Sequence, residues 1–124
     1  MGYYTYYSMV ARNIKDKERY DQIVAEMVKM ELYTDSIHCG VFNYGEFFEY
    51  DHEAIFNAYE ESKWYDHTYD MVKLSKLFPE VTFKLHGEGE EKEDLWNEYF
   101  HNGAAEECRA QITYPSPVEI DWDR

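Results

Sequence analysis

Apolar residues recur at helical spacing between Asp16 and Leu32, and no other feature of the chain constrains its fold as strongly. The repeat consists of Tyr20, Ile23, Val24, Met27 and Met30. This spacing places the apolar side chains on one helix face, which must be buried against another layer. Asp16 precedes the repeat and belongs to the residue types that cap helices. The sequence therefore predicts an amphipathic helix of about Asp16–Leu32.

A second helix is predicted from Asp66 to Leu77. Asp66 is its expected N-cap, and Pro79 stops it because proline cannot continue a helix. The apolar stripe of this helix is formed by Met71, Leu74, Ser75 and Phe78. Two amphipathic helices of this kind need a shared apolar surface to pack on.

Strand patterns supply that surface. Tyr3–Ala11 is rich in Tyr, Thr and Val, and Val81–His86 alternates, with its odd positions facing a core. Near the C-terminus, Asn102-Gly103 predicts a tight turn because both residues tolerate positive φ. The strands joined by this turn are predicted at Leu95–Phe100 and Ala104–Tyr114.

The sequence between and after these elements predicts a hairpin, a further strand, a loop and a tail. Residues 34–54 are predicted to be an insertion that forms a hairpin, with its turn at Asn43–Gly45. Ile55–Trp64 alternates and is predicted to be a strand, with a helix as the alternative. Gly87–Asp94 is predicted to be a solvated acidic loop, and residues 115–124 an acidic extended tail.

This order of elements predicts an α+β fold, with a mostly antiparallel sheet, two helices packed on one face and an inserted hairpin. The 124 residues suffice for one such domain, and no linker or repeat divides them. The predicted core includes Met27, Met71, Leu74, Val81, Phe83, Leu85 and Ile112.

The charge of the chain restricts its partners. Lys and Arg number 12 against 26 Asp and Glu, a formal net charge of −14. This excess argues against direct binding of nucleic acid through phosphate neutralisation and against docking on anionic lipid. The aromatic content of 19% argues against a disordered acidic tail.

The negative charge is concentrated outside the first third of the chain. Residues 1–33 carry five basic and five acidic residues, so the remaining chain accounts for the entire net charge. The negative charge is densest in two segments, 46–61 and 88–94, whose acids we predict to bind a partner. Acidic and aromatic residues are interleaved at 46–53. The predicted binding residues are Glu46, Phe47, Phe48, Glu49, Tyr50, Asp51, Glu53, Glu88, Glu90, Glu91, Glu93 and Asp94. Solubility alone is the alternative explanation of the charge.

No metal-binding or nucleophile motif is found. Histidine and cysteine do not occur at zinc-ligand spacing, and Gly87-Glu88-Gly89 lacks the lysine of a phosphate-binding loop. We therefore expect no catalytic residue, no bound metal and no cofactor. A small enzyme would require Asp66, His67, His86 or Cys39 to converge in one pocket.

The start of the chain, Met1–Tyr7, lacks the basic patch and apolar run of a signal peptide. Cys39 and Cys108 are not closely spaced and are expected to be reduced thiols, with one disulfide as the alternative. No apolar run approaches the roughly 20 residues of a membrane span. These features predict a cytoplasmic protein with no membrane partner.

Several stretches of the chain resemble a known group of proteins. The matching stretches are Lys63-Trp64-Tyr65-Asp66-His67, Met71 to Phe78-Pro79, Leu85 to Glu91, Asp94-Leu95-Trp96, and Tyr99-Phe100 with Asn102-Gly103. They resemble small acidic proteins of phages and mobile elements that are related to YubB-like ferredoxin-like domains. The resemblance covers about residues 55–114, fits the first strand and helix loosely, and departs at 34–54. It implies a ferredoxin-like fold and a phage or mobile-element setting, and it brings no catalytic residue.

Three functions are compatible with these features of the sequence. The first is an acidic, anti-CRISPR-like decoy that binds the basic nucleic-acid surface of a host defence protein, for instance a CRISPR effector. The second is a non-enzymatic interaction module whose sheet pairs with a partner or with itself, so that a homodimer stays open. The third, and the weakest, is a small cytosolic enzyme with an acid/His pocket.

Overall fold

A computed structural model describes residues 3–34 and 40–114, which form an α+β structure. Its elements are β1 (Thr5–Arg12), α1 (Lys17–Lys29), β2 (Tyr44–Phe48), β3 (Glu53–Asn57), α2 (His67–Leu77), β4 (Thr82–Gly89), β5 (Leu95–His101) and β6 (Ala104–Arg109). The strands form one antiparallel sheet in the order β2-β3-β1-β4-β5-β6. This confirms the predicted class of fold.

One face of the sheet carries the core. Its buried side chains are Tyr7, Met9 and Ala11 of β1, Ala54 and Phe56 of β3, Phe83 and Leu85 of β4, and Trp96, Glu98 and Phe100 of β5. Tyr20 of α1 stacks on Phe47 and Phe56 of this face, and His67 of α2 stacks on Trp96. Both helices therefore lie on the same side. Within the described residues, no element covers the other face, which we call the open face.

Helix α1 is the element that the sequence predicts best. The Asp16 side chain accepts a hydrogen bond from the Arg19 backbone N–H at 2.9 Å, which satisfies a donor of the first turn. Tyr20, Ile23 and Met27 are buried. Burial raises the pKa of Tyr20 to about 12, because the phenolate loses its hydration in the apolar layer.

Helix α2 has the predicted stripe but not the predicted cap. Met71, Leu74, Ser75 and Phe78 are all buried. Asp66 occupies the N-cap position with φ −93° and ψ 24°, and its side chain makes no capping hydrogen bond. N-caps normally have an extended backbone, which aims the side chain at the first turn, so this conformation explains the missing bond.

The predicted turn at Asn43–Gly45 is wrong. Tyr44 and Gly45 belong to β2, where Gly45 pairs with Phe56. A Cβ at Gly45 would lie 2.7 Å from the Tyr20 hydroxyl, so this glycine marks a close approach between strand and helix. The connection to β3 is a single 3₁₀ turn at Glu49–Asp51, which closes at His52 with φ 52°. Residues 44–48 of the predicted insertion are thus an edge strand of the sheet.

Strand β3 has the predicted faces but different ends. Phe56, Ala58 and Trp64 are buried, as the alternation indicates. The strand itself runs over Glu53–Asn57, because its ladder with β1 begins at Arg12 opposite Glu53. Beyond Asn57 the chain leaves the ladder.

Strand β4 runs further than predicted and takes Gly87–Gly89 out of the predicted loop. Gly87 pairs with Trp96, and a Cβ at this position would overlap the indole ring. The glycine that suggests a loop is therefore required inside the sheet. The connecting loop is confined to residues 90–94.

The turn at Asn102-Gly103 is confirmed, with φ values of 44° and 86°. The Gly103 N–H donates to the Ser75 hydroxyl, which ties this turn to α2. Strand β6 ends at Arg109, and the prediction that Ile112 is a core residue is wrong, since its side chain is 47% exposed. The predicted tail at 115–124 lies outside the described residues.

Neither described helix has the length and apolarity required to cross a membrane.

Candidate partner-binding surfaces

The structure separates the predicted binding residues into two groups at opposite ends of the sheet. In β1, Thr5 pairs with Gly89 at one end, and Arg12 pairs with Glu53 at the other. Seven residue steps of about 3.3 Å place these ends roughly 23 Å apart. The sequence suggests one combined binding surface, and the fold provides two.

The first group, residues 46–53, is called here the hairpin tip. Phe47 points to the core side and stacks on Tyr20, with ring centroids 5.4 Å apart. Phe48 is 37% exposed and Tyr50 fully exposed. A groove of about 420 Å³ at this tip is lined by Lys17, Phe47, Phe48, Glu49, Tyr50 and Asp51. Five of these six were predicted from the sequence as binding residues.

Some of the tip carboxylates are engaged and others are not. Glu53 lies 3.3 Å from the Arg12 guanidinium. Glu46 accepts a hydrogen bond of 2.6 Å from the Tyr44 hydroxyl, which raises the pKa of Tyr44 because ionisation would place two negative charges together. The exposed side chains of Glu49 and Asp51 make no hydrogen bond or ion pair within residues 3–34 and 40–114.

Glu60 and Glu61, which belong to the predicted segment 46–61, lie with the second group and not with the hairpin tip. Thr5 forms a bridge to Ser62 on one side and pairs with Gly89 on the other. Residues 60–61 and 88–93 therefore flank the start of β1, about two strand spacings, or 10 Å, apart. This surface is called here the acidic end. Its members are Glu60, Glu61, Glu88, Glu90, Glu91 and Glu93, all exposed.

Few cations oppose these charges. Lys63 lies over the ring of Tyr4 at 4.9 Å, and Lys92 is in the acidic loop itself. Exposed tyrosine rings border the surface, at Tyr59 and Tyr65. The acidic end thus joins a high density of carboxylates with aromatic side chains.

Asp94, predicted as a binding residue, has a structural role. Its carboxylate accepts hydrogen bonds from the Arg109 guanidinium at 2.8 Å and from the Tyr3 hydroxyl at 2.7 Å. The bond from Arg109, and then that from Tyr3, lowers the pKa of Asp94. The loop is held by this residue, so its charge is not free for a partner.

Among the residues proposed for an enzyme pocket, the three that the structure describes do not converge. His67 packs in the core layer, whereas His86 lies on the open face and pairs with Asn97 through a 2.8 Å hydrogen bond. Asp66 is exposed at the start of α2, and Cys39 lies outside the described residues. Among the described residues, no three His, Cys, Asp or Glu side chains are grouped as metal ligands.

A buried polar pair was missed by the sequence analysis. Glu98 is 3% exposed, and its carboxylate accepts hydrogen bonds from the Thr68 hydroxyl at 2.9 Å and His67 Nδ1 at 3.0 Å. These bonds fasten the first turn of α2 to β5. The only signal in the sequence is a carboxylate in phase with Trp96 and Phe100, the apolar positions of the strand.

No protein-family model, curated protein or solved structure matches this chain.

Proposed function

We propose that this protein is a non-enzymatic acidic inhibitor that occupies the basic nucleic-acid-binding surface of another protein. The observation that carries the proposal is the acidic end. Two segments that are 27 positions apart, at Glu61 and Glu88, lie beside each other across β1. A surface of this kind offers a basic groove the closely spaced negative charges that it normally receives from phosphates.

The acidic end also has the features of a protein interface. Its carboxylates would steer a cationic partner during approach, and Tyr59 and Tyr65 offer rigid apolar area for the contact. The hairpin tip lies at the other end, where Arg12 and Lys17 share the surface with the acids. The acidic end is for this reason the main surface in the proposal, and the tip is the second.

The identity of the partner is proposed from the sequence resemblance. Small acidic proteins of phages and mobile elements act inside a host cell, so the proposed setting is the host cytoplasm. The proposed partner is a nucleic-acid-handling defence protein, of which a CRISPR effector is one example. The order β1-α1-β2-β3-α2-β4 with the strand arrangement β2-β3-β1-β4 supports a ferredoxin-like fold, extended by β5 and β6.

The test uses three double variants, each of which replaces two acidic residues of one surface by lysine. Partners are captured from host lysate, and those released by added duplex DNA are kept for affinity measurements. E60K/E61K at the acidic end is expected to weaken binding at least tenfold and to reduce its salt dependence. The companion variant E49K/D51K probes the hairpin tip.

The control is E18K/E31K, which makes the same change in net charge at exposed positions of α1 and at its end. It is expected to leave the affinity within about twofold, since screening limits the reach of distant charges. Equal losses of affinity in all three variants would mean that binding depends on the net charge of the protein and not on a particular surface. An unchanged affinity in E60K/E61K would exclude the acidic end as the binding surface.

A second candidate, a module that pairs through its sheet, is favoured by the open face. Val10 and Ile55, which are partly exposed, lie in one row across this face with Lys84 and the exposed ring of Tyr99. Burial of this row in a homodimer would produce twice the monomer mass in light scattering at micromolar concentration. A monomer under these conditions would contradict self-pairing.

A further inference from the structure

The groove at the hairpin tip combines exposed aromatic rings with unpaired carboxylates. Phe48 and Tyr50 contribute apolar area to its lining, and Glu49 and Asp51 contribute negative charge. Neither carboxylate has an ion-pair or hydrogen-bond partner among the described residues. The groove is therefore complementary to a ligand that is both cationic and able to stack on a ring.

Among the described residues, Lys17 is the one cation that lines the groove, and it is already paired. Lys17 Nζ lies 2.6 Å from the Asp21 carboxylate and 5.5 Å from the centre of the Tyr20 ring. Around the groove, Glu46 and Glu53 add further negative charge, and Arg12 offsets only Glu53. A cation from outside is attracted to this site, and a second copy of a chain with net charge −14 is repelled.

We propose that this groove binds an arginine side chain of a partner protein. A guanidinium is planar, so it stacks on an aromatic ring while its N–H groups donate to carboxylates. A lysine ammonium is a hydrated point charge, which gains less from the rings. This site lies apart from the acidic end and specifies the ligand of the second surface in the proposed function, but a peptide titration tests it without the proposed partner.

The test is a ¹⁵N NMR titration of the full chain with three peptides that differ at one position, Gly-Arg-Gly, Gly-Lys-Gly and Gly-citrulline-Gly. The arginine peptide is expected to shift the amide signals of residues 47–51, with an affinity at least threefold above that of the lysine peptide. Citrulline has nearly the same shape without the charge, and it is expected to cause no saturable shift.

Variants assign the binding to the groove. Tyr50→Ala removes a fully exposed ring without disturbing the fold and is expected to weaken arginine binding about two- to thirtyfold. Tyr59→Ala, the matched control at the other end of the sheet, is expected to leave the affinity unchanged. The proposal is overturned by equal binding of the arginine and lysine peptides, by shifts confined to the acidic end, by the absence of any shift, or by an unaltered affinity in Tyr50→Ala.

Discussion

At the scale of single residues, Gly87 is a position with no room for a side chain. It lies in β4 opposite Tyr7 on one side and Trp96 on the other, and the indole ring covers it. This contact holds the aromatic layer in which His67 stacks. A side chain at this position would therefore disturb the contacts of β1, β5 and α2.

We expect Gly87→Ala to lower the free energy of unfolding by about 1–3 kcal/mol, because the new methyl group overpacks the Trp96 ring. Urea unfolding measures the change. When Gly87→Ala is combined with Trp96→Leu, the total loss is expected to be smaller than the sum of the two single losses, since the two residues are in contact. Glu88→Ala, an exposed neighbour, serves as the control with a change within about 0.5 kcal/mol. A stable Gly87→Ala protein would show that the indole is free to move.

At the scale of elements, Asp94 connects three parts of the sheet. Its carboxylate, in the loop between β4 and β5, binds Tyr3 before β1 and Arg109 at the end of β6. The pKa of Asp94 is lowered in the folded state, chiefly by the bond from Arg109. A carboxyl whose folded pKa is lowered stabilises the fold above its unfolded pKa of about 3.9, and this contribution disappears as the pH falls through the folded pKa.

Asp94→Asn is therefore expected to unfold at a lower urea concentration than the native protein at neutral pH. The difference is expected to shrink as the pH falls below the unfolded pKa of about 3.9 and through the lower folded pKa, where the native carboxyl also becomes protonated. Glu90→Gln, in the same loop and without a described side-chain partner, is the control and should match the native protein at both pH values. If Asp94→Asn still unfolded at a lower urea concentration than the native protein in acid, the loss of stability would come from altered packing and not from the lost charge.

At the scale of the whole molecule, the charge is unevenly distributed. The acidic end holds six exposed carboxylates, Glu60, Glu61, Glu88, Glu90, Glu91 and Glu93, and the cations near it are few. Repulsion between them opposes the compact state, and salt screens that repulsion. The same property would favour a cationic partner, which neutralises the surface when it binds.

We expect the melting temperature to rise by several degrees as NaCl increases from about 0.02 M to about 0.5 M, where the Debye length falls well below 10 Å. The variant E60Q/E61Q/E90Q/E91Q should melt higher at low salt and respond less to added salt. E18Q/E31Q is the control and should retain the native response. A melting temperature independent of salt would mean that the acidic end does not destabilise the fold.

The sequence alone determines the two helices, their buried stripes and the Asn102-Gly103 turn, because these depend on residues close together in the chain. It also identifies the aromatic and acidic composition of the hairpin tip, as local composition remains local after folding. It misassigns Gly45 and Gly87, because a glycine required by a ring from a distant segment looks the same in sequence as a glycine required by a turn. Only the strand order decided three other features. Glu98 pairs with His67, residues 60–61 lie beside residues 88–93, and these two segments are separated from the hairpin tip. Strand order depends on which apolar faces pack together across the whole chain, and no local pattern encodes it.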